Sequence, residues 1–234
     1  MADQTLLVIA DISGYTRYMR LHRMALAHSQ VVTGRLLEAV VHAVPSLRLV
    51  EVEGDAAFLY EAIGERDVVP SVAELALTMH GAFHREQERM ITLNMCSCPG
   101  CVEAGKLRVK FVAHVGEAAM QRIKRRQQLI GVDVITVHRM LKNSVPVDEY
   151  VLMSELLYQN CAPELRERAV GVEEDLEGIG ATQLYFLNLE DLALQLPDPP
   201  TATVPRRLRE TMGVVLRGMP RMLGKQREHE VVDG

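Results

Sequence analysis

"LLVIADISGYT", residues 6–16, is the stretch whose reading decides the fold. With Thr5 in front, an unbroken apolar run drives into Asp11 and a small-residue turn follows, which predicts a buried strand over 5–12. A carboxylate at the end of such a strand, beside Gly14 and the free backbone amides of a helix start, raises the prospect of an anion or metal site. The plainer alternative is an aspartate that opens a turn.

Outward from this strand, apolar residues recur at helical spacing from Leu21 through Leu36 to Val44, ending before Pro45. "LRLVEVEGDAAFLYEA" (47–62) reads as two β runs around Gly54-Asp55, a hairpin. Val72, Leu75, Met79 and Phe83 mark a second amphipathic helix to about residue 92, and 106–120 reads as a long strand. A short helix over 133–143, a strand over 149–154, a helix opened by a Ser154 N-cap and a strand over 181–189 complete the frame. The order β-α-β-β-α-β predicts an α+β fold with helices on a mostly antiparallel sheet. "LPDPPTATVP" (196–205) is a linker by composition. The organisation is therefore a domain over 1–192 with a cysteine-rich insertion at 94–106, a linker over 193–205 and a tail over 206–234. In the tail an apolar stripe through Leu208 and Met212 runs beside six basic residues from Arg206 to Lys225. Such a helix packs back on its own chain, binds a partner protein or lies on an anionic membrane.

With 234 residues, 48% of them hydrophobic and 24% charged, the chain can bury a sizeable core. A net charge of −5 argues against nucleic acid as a partner. No apolar stretch has the length of a membrane span, and Asp11 interrupts what a signal peptide would keep apolar, so a cytoplasmic protein is expected.

Asp55 lies in the hairpin turn, and a β-α-β-β layout commonly sets the first strand beside the hairpin, so Asp11 and Asp55 can converge at one sheet end. Two carboxylates with water and phosphate oxygens suit Mg²⁺, while the amides of Ser13, Gly14, Tyr15 and Thr16 suit a phosphate chain. "VIADISGYT" and "EVEGDAAFLY" resemble the two metal motifs of the class III adenylyl and guanylyl cyclases, and "VKFVAHVGEA" resembles their central strand. "LIGVDVITVHRML" is similar to their block of transition-state residues and "GIGATQLYFL" to their closing hairpin, so the resemblance spans roughly 5–190.

The resemblance implies a ferredoxin-like cyclase fold, a head-to-tail homodimer and a purine nucleoside triphosphate held with Mg²⁺ or Mn²⁺. It assigns the metal to Asp11 and Asp55, with the Ile12 carbonyl as an extra ligand, and transition-state charge to Arg139. Two positions depart from the pattern. Ile135 stands where the family has a ribose-orienting asparagine, a loss of the kind that costs on the order of a hundredfold in rate. Glu51, with Gln128 as its companion, replaces the lysine of adenine-specific members and matches guanine better. Glu51 and Glu53 also fit the solvent face of an alternating strand.

Cys96, Cys98 and Cys101 form a tight Cys-x-Cys-x-x-Cys around Pro99-Gly100, for which Zn²⁺ is the default cation. The fourth donor is open, with His80 and His84, one helical turn apart, or Cys161 as candidates; the bland alternative is a reduced surface loop. Alone, Cys161 reads as a small buried apolar residue. This loop, "HSQ" (28–30), "EGDAAF" and "VHRMLKN" together resemble a bacterial cyclase-related family of unknown function. Packing roles are expected of His28 and His138, and a solvated turn of Arg122, Lys124, Arg125 and Arg126.

Three functions follow as expectations. The first is nucleotide binding with weak or degenerate catalysis, the second an active guanylyl or adenylyl cyclase, and the third a non-catalytic signalling module stabilised by zinc.

Overall fold

β1 (Asp3–Ser13), β2 (Arg48–Glu53), β3 (Ala56–Ala62), β4 (Arg108–Ile123), β5 (Arg126–Ile130), β6 (Tyr150–Ser154), β7 (Val170–Leu176) and β8 (Gly180–Asn188) form an eight-stranded sheet with the order β2-β3-β1-β4-β6-β8-β7 and β5 paired to β4, so that β1 is an interior strand. The structure is a computed structural model that describes residues 3–21, 26–63, 71–93, 103–124, 126–192, 203–209 and 212. Two units divide the chain, one of residues 1–13, 37–84 and 108–196, the other of 14–36, 85–107 and 197–234.

The first unit carries the sheet. Leu7 and Ile9 look to one face of β1 and join Phe58, Val112, Leu152 and Leu184 in a core cluster. Leu6, Val8, Ala10 and Ile12 look to the other and are equally buried. Both faces are covered, which is why this strand reads as a continuous apolar run rather than an alternating one. β2 (Arg48–Glu53) and β3 (Ala56–Ala62) form the expected hairpin, with Glu53 opposite Ala56 across a two-residue turn in which Gly54 takes φ +62°. β3 pairs antiparallel with β1, and β4 (Arg108–Ile123) flanks β1 on its other side. The neighbours β2-β3-β1-β4 reproduce the ferredoxin-like arrangement that the βαββαβ order predicts. β4 and β6 (Tyr150–Ser154) are parallel, and the other pairings are antiparallel.

α1 (Tyr15–Leu21), α2 (Leu26–His42) and α3 (Val72–Leu93) fall where the periodicity places helix. α4 (Val132–Arg139) packs on β4 and β1. It is shorter than the expected 133–143, because at Asn143 the side chain takes over turn duties: its amide donates to the Met140 carbonyl and its oxygen accepts from Val145 N–H. Gly116 lets α4 approach: a Cβ there would clash with Asp133, whose carboxylate accepts from Glu117 N–H at 2.7 Å and faces His114 Nε2 at 2.8 Å.

Strands β5 (Arg126–Ile130) and β7 (Val170–Leu176) were not expected from periodicity, since their residues are polar and largely exposed. β7 pairs with β8 (Gly180–Asn188). α5 (Glu155–Gln159) and α6 (Pro163–Arg166) follow β6. Ser154 holds the N-cap position of α5 but makes no capping hydrogen bond, because it ends β6 with its hydroxyl buried. Cys161 is buried as expected, its thiol against the Leu157 carbonyl, and burial pushes that thiol up.

In the second unit, the buried Gln87 amide donates to the Ala104 and Leu107 carbonyls at 2.8 and 2.9 Å. Arg35 and Arg89 meet Glu86 on the same stretch. Residues 204–209 are helical and exposed. The His28 side chain, Arg125, the Arg126 side chain, most of the linker, and the tail beyond Arg209 apart from Met212 lie outside the described residues.

Candidate functional site

β1 delivers Asp11 opposite Ala56 on one side and Lys110 on the other. Lys110 Nζ lies 3.2 Å from Asp11 Oδ2, and both side chains are about one-fifth exposed (21% and 20%). Ile12 N–H donates to the Asp55 carbonyl at 3.1 Å, so the hairpin turn is fastened to the end of β1. Asp11 and Asp55 therefore sit at the same end of the sheet, near enough for the charge of one to act on the other. Burial, and after it the charge of Asp11, pushes the Asp55 carboxyl up, against the pull of a backbone hydrogen bond and of Lys110. The Tyr150 hydroxyl donates to Asn143 Oδ1 at 2.9 Å and is pushed up by burial, with Lys110 and Asp11 both felt there.

The remaining predicted residues are more dispersed. Ser13 ends β1; Gly14, at φ +84°, offers its carbonyl to Tyr18 N–H as α1 begins at Tyr15, with Thr16 in its first turn. Arg139, at the end of α4, gives Nη1 to Glu177 Oε2 at 2.6 Å in the β7–β8 turn. Ile135 on the same helix is half-exposed (52%). A cavity of ≈ 380 Å³ opens between the β2–β3 and β4–β5 hairpins. Its lining includes Val50 and Gln127, the chain neighbours of Glu51 and Gln128, which are half-buried beside it. His138 packs edge-on to Phe58 at 4.9 Å, the expected packing role, and Arg122 and Lys124 are exposed in their turn. Cys96, Cys98 and Cys101 lie outside the described residues.

A second constellation was only half visible in the letters. His80 and His84, i and i+4 on α3, converge on Glu149, the residue before β6. His80 Nε2 lies 3.0 Å from Glu149 Oε2, and His84 Nε2 lies 2.8 Å from Oε1 and 3.0 Å from Oε2. Val109 N–H donates to Oε1 at 3.1 Å. Burial alone would raise the Glu149 carboxyl, but hydrogen bonds from the two histidines outweigh it and hold it at about 2. The H-x₃-H spacing was legible; Glu149, 65 residues beyond His84, carried no local signal.

The architecture is that of the nucleotide cyclases. A bacterial light-regulated adenylyl cyclase matches with a TM-score of 0.60 at 11% identity over 93% of this chain, which spans 57% of that longer protein. The guanylate cyclase domain of RhGC from Catenaria anguillulae, solved in complex with GTP, matches with a TM-score of 0.54 at 17% identity over 80% of this chain and 96% of that domain. At such identities the likeness is one of fold. The chain belongs to the family described as "Protein of unknown function (DUF2652)", whose model matches residues 33–150. The uncharacterized protein Rv2561/Rv2562 of Mycobacterium tuberculosis (strain ATCC 25618 / H37Rv) is 39% identical over 166 residues, 70% of this chain and 77% of that protein. Among the described residues no helix is long and apolar enough to cross a membrane.

Proposed function

We propose that this chain binds a purine nucleoside triphosphate as its magnesium complex at Asp11 and Asp55, with little or no turnover to a cyclic nucleotide. The observation that carries this reading is that Asp11 and Asp55 share one end of the sheet, where burial first and the Asp11 charge after it push the Asp55 carboxyl up, a cost that a cation relieves. The donor set fits Mg²⁺: two hard oxygens in a largely buried place that keeps a partial opening to solvent. Bound there, the metal neutralises phosphate charge and lowers the pKa of an attacking hydroxyl.

Lys110 holds one positive charge on Asp11 in the ligand-free chain, and its flexible stem lets the ammonium turn to a phosphate oxygen. The Ile12 carbonyl completes the metal ligands, and the amides of Ser13, Gly14, Tyr15 and Thr16, next in the chain, take the phosphates. Arg139 neutralises phosphoryl charge across a head-to-tail homodimer once it leaves Glu177. Glu51 and Gln128 favour guanine. Ile135 offers no hydrogen bond to a ribose, which is why binding outlasts catalysis. Zn²⁺ at Cys96, Cys98 and Cys101 secures the inserted loop, and the tail serves a protein or membrane partner, both readings resting on the residue pattern alone.

The test is thermal melting of the full chain against ATP and GTP, with and without Mg²⁺. At a hundredfold excess over Kd, binding adds about 2.7 kcal/mol, a shift of several degrees at about 2–4 °C per kcal/mol. A Mg²⁺-dependent shift that Asp11→Ala abolishes is expected. No shift with any nucleotide overturns the reading.

A further inference from the structure

His80, His84 and Glu149 lie outside the nucleotide reading, and their arrangement has the chemistry of a metal centre. The ligand-capable atoms of the three side chains all lie within 4.8 Å of one another. The histidines share one face of α3, with ring centroids 4.5 Å apart, and both Nε2 atoms reach the Glu149 carboxylate. A carboxylate from a distant element completes the triad, and Val109 N–H holds that carboxylate in place, as an outer-shell donor orients a metal-bound carboxylate. Two imidazoles and one carboxylate are a common protein donor set for Zn²⁺ that leaves the fourth position to water.

Burial separates this from a chance surface cluster. The side chains of His80 and Glu149 are 6% and 3% exposed, and that of His84 is 16%. A charged carboxylate this deep, partnered by two imidazoles and one peptide N–H, lies in a place where a divalent cation is well compensated. The two nitrogen-to-oxygen edges, at 3.0 and 2.8 Å, need only open to about 3.3 Å for a tetrahedron with bonds of 2.0–2.1 Å. As the metal enters, Nε2 must be the unprotonated nitrogen of each ring, the remaining ring proton resting on Nδ1.

We infer that His80, His84 and Glu149 form a Zn²⁺ site that needs no donor from the cysteine loop and clamps α3 to the start of β6. Each imidazole ligates through Nε2 as the neutral Nδ1–H tautomer, an imidazolium giving up one proton to water, and no redox step is involved. The site is independent of Asp11 and Asp55, so its fate and that of the nucleotide reading can be told apart.

The full chain carrying Cys96→Ser, Cys98→Ser and Cys101→Ser removes the competing thiolates. Stripped with chelator and titrated, it is expected to take up one equivalent of Zn²⁺ and to melt several degrees higher. Co²⁺ is expected to give weak visible bands of nitrogen and oxygen coordination, without thiolate-to-metal charge transfer. Glu149→Gln and His84→Asn in that background are each expected to weaken Zn²⁺ by at least about a hundredfold, the upper end for loss of an outer-shell partner. The metal-free circular dichroism spectra should match, and Asp11→Ala should bind Zn²⁺ unchanged. Failure of the triple-serine chain to take up Zn²⁺ overturns the inference, as does uptake that both His84→Asn and Glu149→Gln leave intact.

Discussion

Glu149 and Asp55 are two acidic side chains of the same sheet unit, and the protein treats them in opposite ways. Burial raises both carboxyls. Around Glu149 two imidazoles and a peptide N–H point inward, and the carboxyl falls to about 2. Around Asp55 the next strongest influence is another carboxylate, and the carboxyl rises. Depth alone therefore does not set the ionisation of a buried acid; the count of donors against like charges does. The Glu149 centre is closed on its own partners. The Asp11–Asp55 centre sets one ammonium, that of Lys110, against two carboxylates.

The hardest break in that comparison is Glu149→Ala. It strips the acceptor from two histidines and Val109 N–H, and an expected loss of about 3 kcal/mol or more would appear as a lower urea midpoint. At the other centre, Ile135→Asn returns an amide to α4. Formation of cyclic nucleotide from Mg–GTP is expected to rise on the order of a hundredfold, read by product chromatography.

Acid separates the two carboxyls by sign. In chelator, Glu149 titrates below its ordinary 4.5 when folded, so its contribution is present above that value and lost as pH falls through about 2. Glu149→Gln should flatten that acid limb in melts taken between these limits. Asp55 titrates above its ordinary 3.8 when folded. Its contribution is present below that value and lost as pH rises through the raised pKa. Asp55→Asn should therefore stabilise the ligand-free chain at neutral pH by under about 1 kcal/mol, a familiar exchange of function for stability, while abolishing any Mg²⁺–nucleotide shift. The smallest effect is Lys110→Gln. Loss of a partly exposed ion pair costs about 0.2–1 kcal/mol, and calorimetry should show tighter Mg²⁺ binding once the competing ammonium is gone.

Much of this was legible in the letters wherever one stretch of chain carried the signal. The 5–12 run, the Gly54-Asp55 turn and the Val72–Phe83 periodicity each announce their element, and β1, β2–β3 and α3 stand where they were expected. β5 and β7 escaped because their polar, exposed residues gain strand geometry from pairing with β4 and β8 rather than from an apolar pattern. The end of α4 was misread because Asn143 closes the turn with its own side chain, a contact that apolar spacing does not record.

The two carboxylate centres divide along the same line. Asp11 and Asp55 were paired from the sequence because the end of an apolar run and a hairpin turn each carry a local signal, and the βαββ layout commonly sets those two strands side by side. Lys110 on Asp11, Glu177 on Arg139 and Glu149 on the two histidines were decided by tertiary structure alone. Each joins residues far apart in the chain, and the register that brings them together is fixed by packing of the core, of which a single side chain's identity carries no trace.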